Sequence, residues 1–208
     1  MYVKQFMTSQ VFTVSPEDNI ADTMALMREK KINRLPVVEK GKLVGIVTDG
    51  DLREVSPSPA TTLSIFELNY LVAKTSVREI AVKKVVTCSP DTKLEDAAVL
   101  MRDHEIGSLP VLDNGKLVGI ITETDIFDAF LDIMGLRSPG QRVVIETKDE
   151  VGVMVDLAST IKEYEVNITS LAVYHLKNNK VQILSRLSGE QVKEVKNSLI
   201  EKGYELSF

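Results

Sequence analysis

The chain has 208 residues, 44% hydrophobic and 26% charged, with 25 basic against 30 acidic side chains, a formal net charge of −5 and no Trp. This is an ordinary globular mix, long enough for one or two domains with a sizeable core, and it excludes both a basic nucleic-acid face and a base-stacking platform. No apolar run approaches the roughly 18 residues of a membrane span, Met1-Tyr2-Val3-Lys4 opens no signal-peptide stretch, and the single Cys88 permits no intrachain disulfide, so the expectation is a cytoplasmic protein engaging neither nucleic acid nor membrane.

Along the chain, Ser15-Pro16-Glu17-Asp18 reads as a helix start, with Ser15 as N-cap and Pro16 at the first helical position. Ile20, Met24 and Met27 then share one helical face. Leu35-Pro36-Val37-Val38 is a short apolar strand, Glu39-Lys40-Gly41-Lys42 a hairpin turn, and Leu43 to Val47 a second apolar strand. Thr48-Asp49-Gly50-Asp51 opens another helix. Ser56-Pro57-Ser58-Pro59 breaks the chain, and Ser64 to Lys74 reads as a linker helix with Ile65, Leu68, Leu71 and Val72 on one side.

The same order then returns. Thr13-Val14-Ser15-Pro16 recurs as Thr87-Cys88-Ser89-Pro90, Leu35-Pro36-Val37 as Leu109-Pro110-Val111, and Gly41-Lys42-Leu43-Val44-Gly45-Ile46 as Gly115-Lys116-Leu117-Val118-Gly119-Ile120, each 74 residues on. The offset holds without a gap from Val3/Val77 to Val55/Ala129, which identifies an internal repeat. Leu94, Ala98 and Met101 form the second copy's first helical face, and Thr122-Glu123-Thr124-Asp125 opens a longer apolar helix through Ile126, Phe127, Phe130, Leu131 and Met134.

A strand running into Gly-h-h-Thr-x-x-Asp, present twice about 75 residues apart, resembles the cystathionine-β-synthase (CBS) domain pair. The resemblance implies two pseudo-symmetric βαββα units, residues 1–57 and 77–136, joined by a linker helix over 58–76, with two clefts that take AMP, ADP, ATP or an adenosyl ligand such as S-adenosylmethionine. It places the ribose-binding carboxylates at Asp51 and Asp125, their ribose- or phosphate-contacting partners at Thr48 and Thr122, and the adenine-edge backbone at Thr13, Val14, Thr87 and Cys88. Leu35 and Leu109, heading the two Leu-Pro-Val strands, complete the candidate nucleotide-binding set. Helix N-termini favour anions and a carboxylate can accept both hydroxyls of a cis-diol, so the chemistry agrees. Thr-x-x-Asp is equally a plain capping box. Arg34 stands where the family often sets a base on phosphate, whereas the second copy has Ser108; likewise Lys30 matches His104 and Arg53 matches Phe127. The first copy is the more basic, which predicts unequal clefts. Cys88, with no sequence-near His or Lys, reads as a buried thiol.

From Gly140 the pattern changes to βαββαβ, a ferredoxin-like sandwich over 140–208. The elements are a strand over Arg142 to Thr147, a helix over Val153 to Tyr164 with Met154, Leu157, Ala158 and Ile161 inward, and strands over Asn167 to Leu176 and Val181 to Leu187. A capping box at Ser188-Gly189-Glu190-Gln191 precedes a helix burying Val192, Val195 and Leu199, and Tyr204 to Phe208 is a last strand. Asp149-Glu150-Val151-Gly152-Val153-Met154-Val155-Asp156-Leu157 with Val166-Asn167-Ile168 resembles an ACT domain, which implies a small-effector site using Gly152 and Asn167, or a dimerisation role. Val151 replaces that family's usual Pro, and Glu165 a common Gly. A CBS pair followed by an ACT domain is similar to the acetoin-utilisation accessory protein family.

The α+β reading is therefore of a homodimeric, non-catalytic sensor acting on an unknown regulated protein, with no cofactor and no metal. A scaffold with empty clefts is the alternative. An acetoin-breakdown enzyme is disfavoured, because His104 and His175 lie in different domains and no nucleophile, metal or phosphate-loop motif is present.

Overall fold

Each Leu-Pro-Val segment pairs with the Gly-Lys-Leu-Val-Gly-Ile segment that follows it. In the computed structural model, which describes residues 1–55 and 74–207, β1 (Arg34–Glu39) runs antiparallel to β2 (Lys42–Thr48), and β3 (Ser108–Asp113) to β4 (Lys116–Thr122). Lys40 and Gly41, and Asn114 and Gly115, all have positive φ, the geometry of two-residue hairpin turns that follow the strand twist. Both hairpins carry a register shift at the same repeat position, between Val37 and Val38 and between Val111 and Leu112.

The helices are α1 (Ile20–Lys30), α2 (Asp49–Glu54), α3 (Val77–Ile80), α4 (Leu94–Asp103) and α5 (Glu123–Ile133), with a 3-10 turn at Val3–Gln5. The expected first helix of each copy begins later than Ser15 or Ser89. Asp18 Oδ2 accepts from the Ser15 amide (2.8 Å) and Thr92 Oγ1 from the Ser89 amide (2.9 Å), closing separate turns before each helix. Asn19 is the true N-cap of α1. On α4, Ala97 rather than Ala98 is the buried alanine. The first strand of each expected βαββα unit shrinks to a single parallel bridge, Val14 to Val37 and Cys88 to Val111. The linker break at 56–59, and the linker helix save for Lys74, lie outside the described residues.

The leading segment of each copy is exchanged. Val3 donates to Thr92 O (2.9 Å), Lys4 to Pro90 O (3.0 Å), and Thr8 and Ile120 bond each other's backbones (2.9 and 3.0 Å). In the counterpart contacts, Val77 donates to Asp18 O (2.8 Å), Arg78 to Pro16 O (2.9 Å), and Val82 and Ile46 bond reciprocally (2.9 and 3.0 Å). Each hairpin is thus flanked by a bridge from its own copy on one edge and from the other copy on its second edge. Gly45 and Gly119 permit this, because a Cβ at Gly45 would stand 3.2 Å from Val82 O and one at Gly119 3.2 Å from Thr8 O.

The chain forms two compact units, Met1–Ile126 and Phe127–Phe208. The division falls inside α5, ahead of the expected boundary at 136–140. In the second unit, β5 (Gln141–Lys148), α6 (Val153–Glu163), β6 (Asn167–His175), β7 (Lys180–Ser188), α7 (Val192–Glu201) and β8 (Glu205–Ser207) make an antiparallel sheet of order β6-β7-β5-β8. Leu157, Ile161, Val192, Val195 and Leu199 pack on Val143, Ile145, Val181, Ile183 and Leu187. This is the ferredoxin-like order expected. Met154 and Ala158 are exposed instead of inward, with Thr160 fully buried in their stead. Gln191, not Ser188, is the N-cap of α7, and it makes no side-chain cap bond.

Leu35 and Leu109 are fully buried core residues. They are the first residues past the cleft ends of β1 and β3, and the alternation of a strand turns them inward. Leu35→Ala is expected to cost about 2–5 kcal/mol in unfolding free energy, measured by urea denaturation. If Leu35 faced a ligand and not the core, the loss without ligand would be far smaller.

Candidate functional site

Two clefts in the first unit sit where the exchanged segments leave the hairpin edges. The first, about 350 Å³, is walled by Arg34, Ile46, Thr48 and Asp51, by the crossing segment Val82, Lys84, Val85 and Val86, and by Glu105 to Ser108. The second, about 280 Å³, is walled by Ile120, Thr122 and Thr124, by Thr8, Gln10, Val11 and Phe12, and by Lys31 to Arg34. The 74-residue offset relates the two walls position by position: Thr48 to Thr122, Val86 to Phe12, Ile106 to Ile32. Each cleft therefore mixes both copies.

The capping boxes are alike in both. Asp51 Oδ2 accepts from the Thr48 amide (2.8 Å) and hydroxyl (2.7 Å), and Thr48 Oγ1 accepts from the Asp51 amide (3.3 Å). Asp125 Oδ2 accepts from the Thr122 amide and hydroxyl (2.8 Å each), with the same 3.3 Å return bond. The plain cap and the ligand reading are not exclusive here. Every cap bond falls on Oδ2, so Oδ1 of each aspartate has no partner among the described residues.

The electrostatics differ between clefts. Lys31 and Glu105 occupy the same left-handed position after α1 and α4 (φ 54° and 53°), so one corner is cationic in the second cleft and anionic in the first. Gln10 and Lys84 also correspond. Arg34, directly opposite Thr48 in the β1–β2 register, lines both clefts. Lys30 pairs with Glu29 (2.7 Å) and lies over the Phe12 ring (5.3 Å), while Arg53 pairs with Asp49 at the surface.

The expected adenine-edge residues stand elsewhere. Val14 donates to Pro36 O (3.1 Å) and accepts from Val38, and Cys88 donates to Pro110 O (3.2 Å) and accepts from Leu112, so their backbone groups are consumed in pairing. Thr13 instead lines an open cavity of about 680 Å³ between the two hairpin turns, with Lys40, Lys42 and Lys116. That cavity is the largest described, but neither capping-box aspartate nor threonine reaches it. Thr87 lines none of these cavities. Val11, Phe12, Val85 and Val86, one or two residues earlier, are the cleft residues that sequence reasoning missed; their apolar character just after the crossing was the available signal. In the second unit Gly152 caps α6 with φ 98°, Asn167 is exposed at the start of β6, and neither lines a described cavity.

The CBS domain family model matches residues 3–58 and 77–132, together more than half of the chain. The chain belongs to the CBS-domain family. Its CBS pair is similar to CBSX2, solved in complex with AMP, at 34% identity over 64% of this chain and 97% of that one (TM-score 0.53). It is also similar to the CBS pair of MJ0100, solved with 5′-methylthioadenosine and S-adenosylmethionine, at 28% identity over 62% and 95% (TM-score 0.52). A protein from Vibrio cholerae named for acetoin utilization (AcuB) aligns at 28% identity over 68% and 98% (TM-score 0.55). About a third of this chain lies outside each match. Among the described residues, no helix is long and apolar enough to cross a membrane.

Burial pushes the Cys88 thiol up to about 11 from its ordinary 9.0. The raised value leaves little thiolate near neutrality. At pH 8 the folded protein should alkylate with iodoacetamide about a hundredfold more slowly than the urea-unfolded chain, read by mass spectrometry. Because the folded-state value is the higher one, this contribution to stability is present below about pH 9 and lost as pH rises through about 11. Equal alkylation rates would place Cys88 in an open, reactive setting.

Proposed function

We propose that this CBS-family protein is a non-catalytic sensor whose two clefts bind adenine nucleotides or related adenosyl ligands. The observation that carries it is the pair of capping-box aspartates, each with one oxygen engaged and one unclaimed: Asp51 lines the first cleft, and Asp125 holds Thr122, which lines the second. A locked carboxylate with a free oxygen is pre-organised to accept from ribose hydroxyls. The apolar pairs Val85/Val86 and Val11/Phe12 offer flat burial for a base, and Arg34 offers five donors for a phosphate. The complexes of CBSX2 with AMP and of MJ0100 with 5′-methylthioadenosine and S-adenosylmethionine support this ligand class. Ligand would act by favouring one packing of the two exchanged halves over another, which requires unequal affinity for the two states.

At about 100 times its dissociation constant, AMP, ADP, ATP or S-adenosylmethionine should stabilise the protein by ~2.7 kcal/mol, a rise of about 5–10 °C in Tm. Asp51→Asn and Asp125→Asn keep a cap acceptor but lose the charged one. Each should weaken its own cleft roughly 10- to 100-fold by isothermal titration while leaving the ligand-free Tm nearly unchanged. If none of the four ligands shifts Tm, the scaffold with empty clefts becomes the better reading.

For the C-terminal unit we propose an ACT-like role in homodimerisation, with a small-effector site at Gly152 and Asn167 as its finer form. β6 is a nine-residue edge strand with Leu171, Val173 and Tyr174 exposed. An unblocked apolar edge of that length is a template for strand pairing. Val173→Lys should convert a dimer to a monomer by light scattering, with far-UV circular dichroism unchanged. An unaltered dimer would remove β6 from the interface.

A further inference from the structure

Resting on the nucleotide reading above, we infer that Arg34 is a single phosphate-binding residue shared by both clefts, so that only one of them can hold a phosphate-bearing ligand tightly at a time. Arg34 lines the first cleft together with Asp51 and the second together with Thr122. Its repeat counterpart, Ser108, is short, only 5% exposed, and lines the first cleft alone. The pair of clefts thus has one guanidinium where strict repetition would supply two. Arg34 is half-buried and has no hydrogen bond or ion pair among the described residues. Its reach across the copies depends on Gly107, where a Cβ would stand 2.9 Å from Arg34 Nη1 and 3.0 Å from Glu123 Oε2, so one carboxylate stands near the guanidinium without an ion pair to it. Asn33, the counterpart of Gly107, carries a side chain there.

A guanidinium fork gives full bidentate geometry to one phosphate edge, and a second phosphate finds that fork occupied and a like charge nearby. The corner residues set the order. Lys31 adds a cation beside Arg34 in the second cleft, whereas in the first the carboxylates of Glu105 and Asp51 offset Arg34 and Lys84. A phosphate-bearing ligand therefore fills the second cleft first and draws Arg34 to it. The first cleft is left suited to an adenosyl ligand without a 5′-phosphate, and the resting occupancy of the sensor is mixed.

The test is isothermal titration of the full chain with AMP and with 5′-methylthioadenosine, which lacks the phosphate. The expected result is two AMP steps whose site affinities differ at least tenfold, and protein holding a single equivalent of AMP that takes one equivalent of 5′-methylthioadenosine at undiminished affinity. In Arg34→Ala the separation of the two AMP affinities should shrink at least threefold, leaving the part set by Lys31 and Glu105. Arg34→Lys, which keeps a charge without the fork, should narrow the separation and serves if the alanine variant does not fold. Two equal AMP sites in the unaltered protein, or a separation undiminished in both variants, would overturn the shared arginine and leave the nucleotide reading standing. Failure of both ligands to bind would sink the nucleotide reading itself.

Discussion

The reciprocal exchange of the two leading segments is the constraint on which the first unit depends. A hairpin alone has two bare edges and buries little. Here each hairpin takes one bridge from its own copy and one from the other, through Val14 and Val82 on β1–β2 and through Cys88 and Thr8 on β3–β4. Val3 and Val77, both fully buried, anchor the exchanged segments. Lys4 with Asp91 and Arg78 with Glu17 mark the same joints at the surface. Those exposed pairs contribute little energy; the buried valines and the backbone bonds hold the joint.

The clefts follow from the exchange. A segment bonded at Val82 to one hairpin and at Cys88 to the other must cross between them, and residues 84–86 are that crossing. Residues 10–12 cross in the opposite sense. Each crossing lies against the strand-to-helix turn that carries a Thr-x-x-Asp box. The glycine of Gly-h-h-Thr and the Thr-x-x-Asp box that follows are thereby two parts of one device: Gly45 and Gly119 admit the crossing chain, Asp51 and Thr48 line the first space it leaves, and Thr122, capped by Asp125, lines the second.

How far the sequence could be read follows the same physics. The repeat was legible because both copies solve the same packing problem with the same side chains at a fixed offset. The capping boxes were legible because a threonine three residues before an aspartate has one dominant local use. Helix starts were misread at Ser15 and Ser89, since Ser-Pro-x-Asp and Ser-Pro-x-Thr close their own turns through Asp18 and Thr92. Thr13, Val14, Thr87 and Cys88 lie outside both clefts, because Val14 and Cys88 are drawn into pairing with the β1 and β3 backbones, an arrangement that no local motif announces. In the second unit the alternating strands and the α7 stripe were plain. The inward face of α6 was not, because Thr160 satisfies its hydroxyl on Asp156 O (2.8 Å) and so can be buried as a spacer would be.

The departures from repetition carry more about function than the repetition itself. A duplicated unit with identical walls would bind the same ligand twice, and each cleft would report the same concentration. Lys31 against Glu105, Gln10 against Lys84, and Arg34 against Ser108 break that equivalence on the cleft walls while the core positions stay matched. Charge is what these three substitutions change, and charge is what distinguishes a nucleotide from its dephosphorylated or methylthio relative. The fold supplies two spaces related by the repeat; the side chains at three corners give their walls different charge.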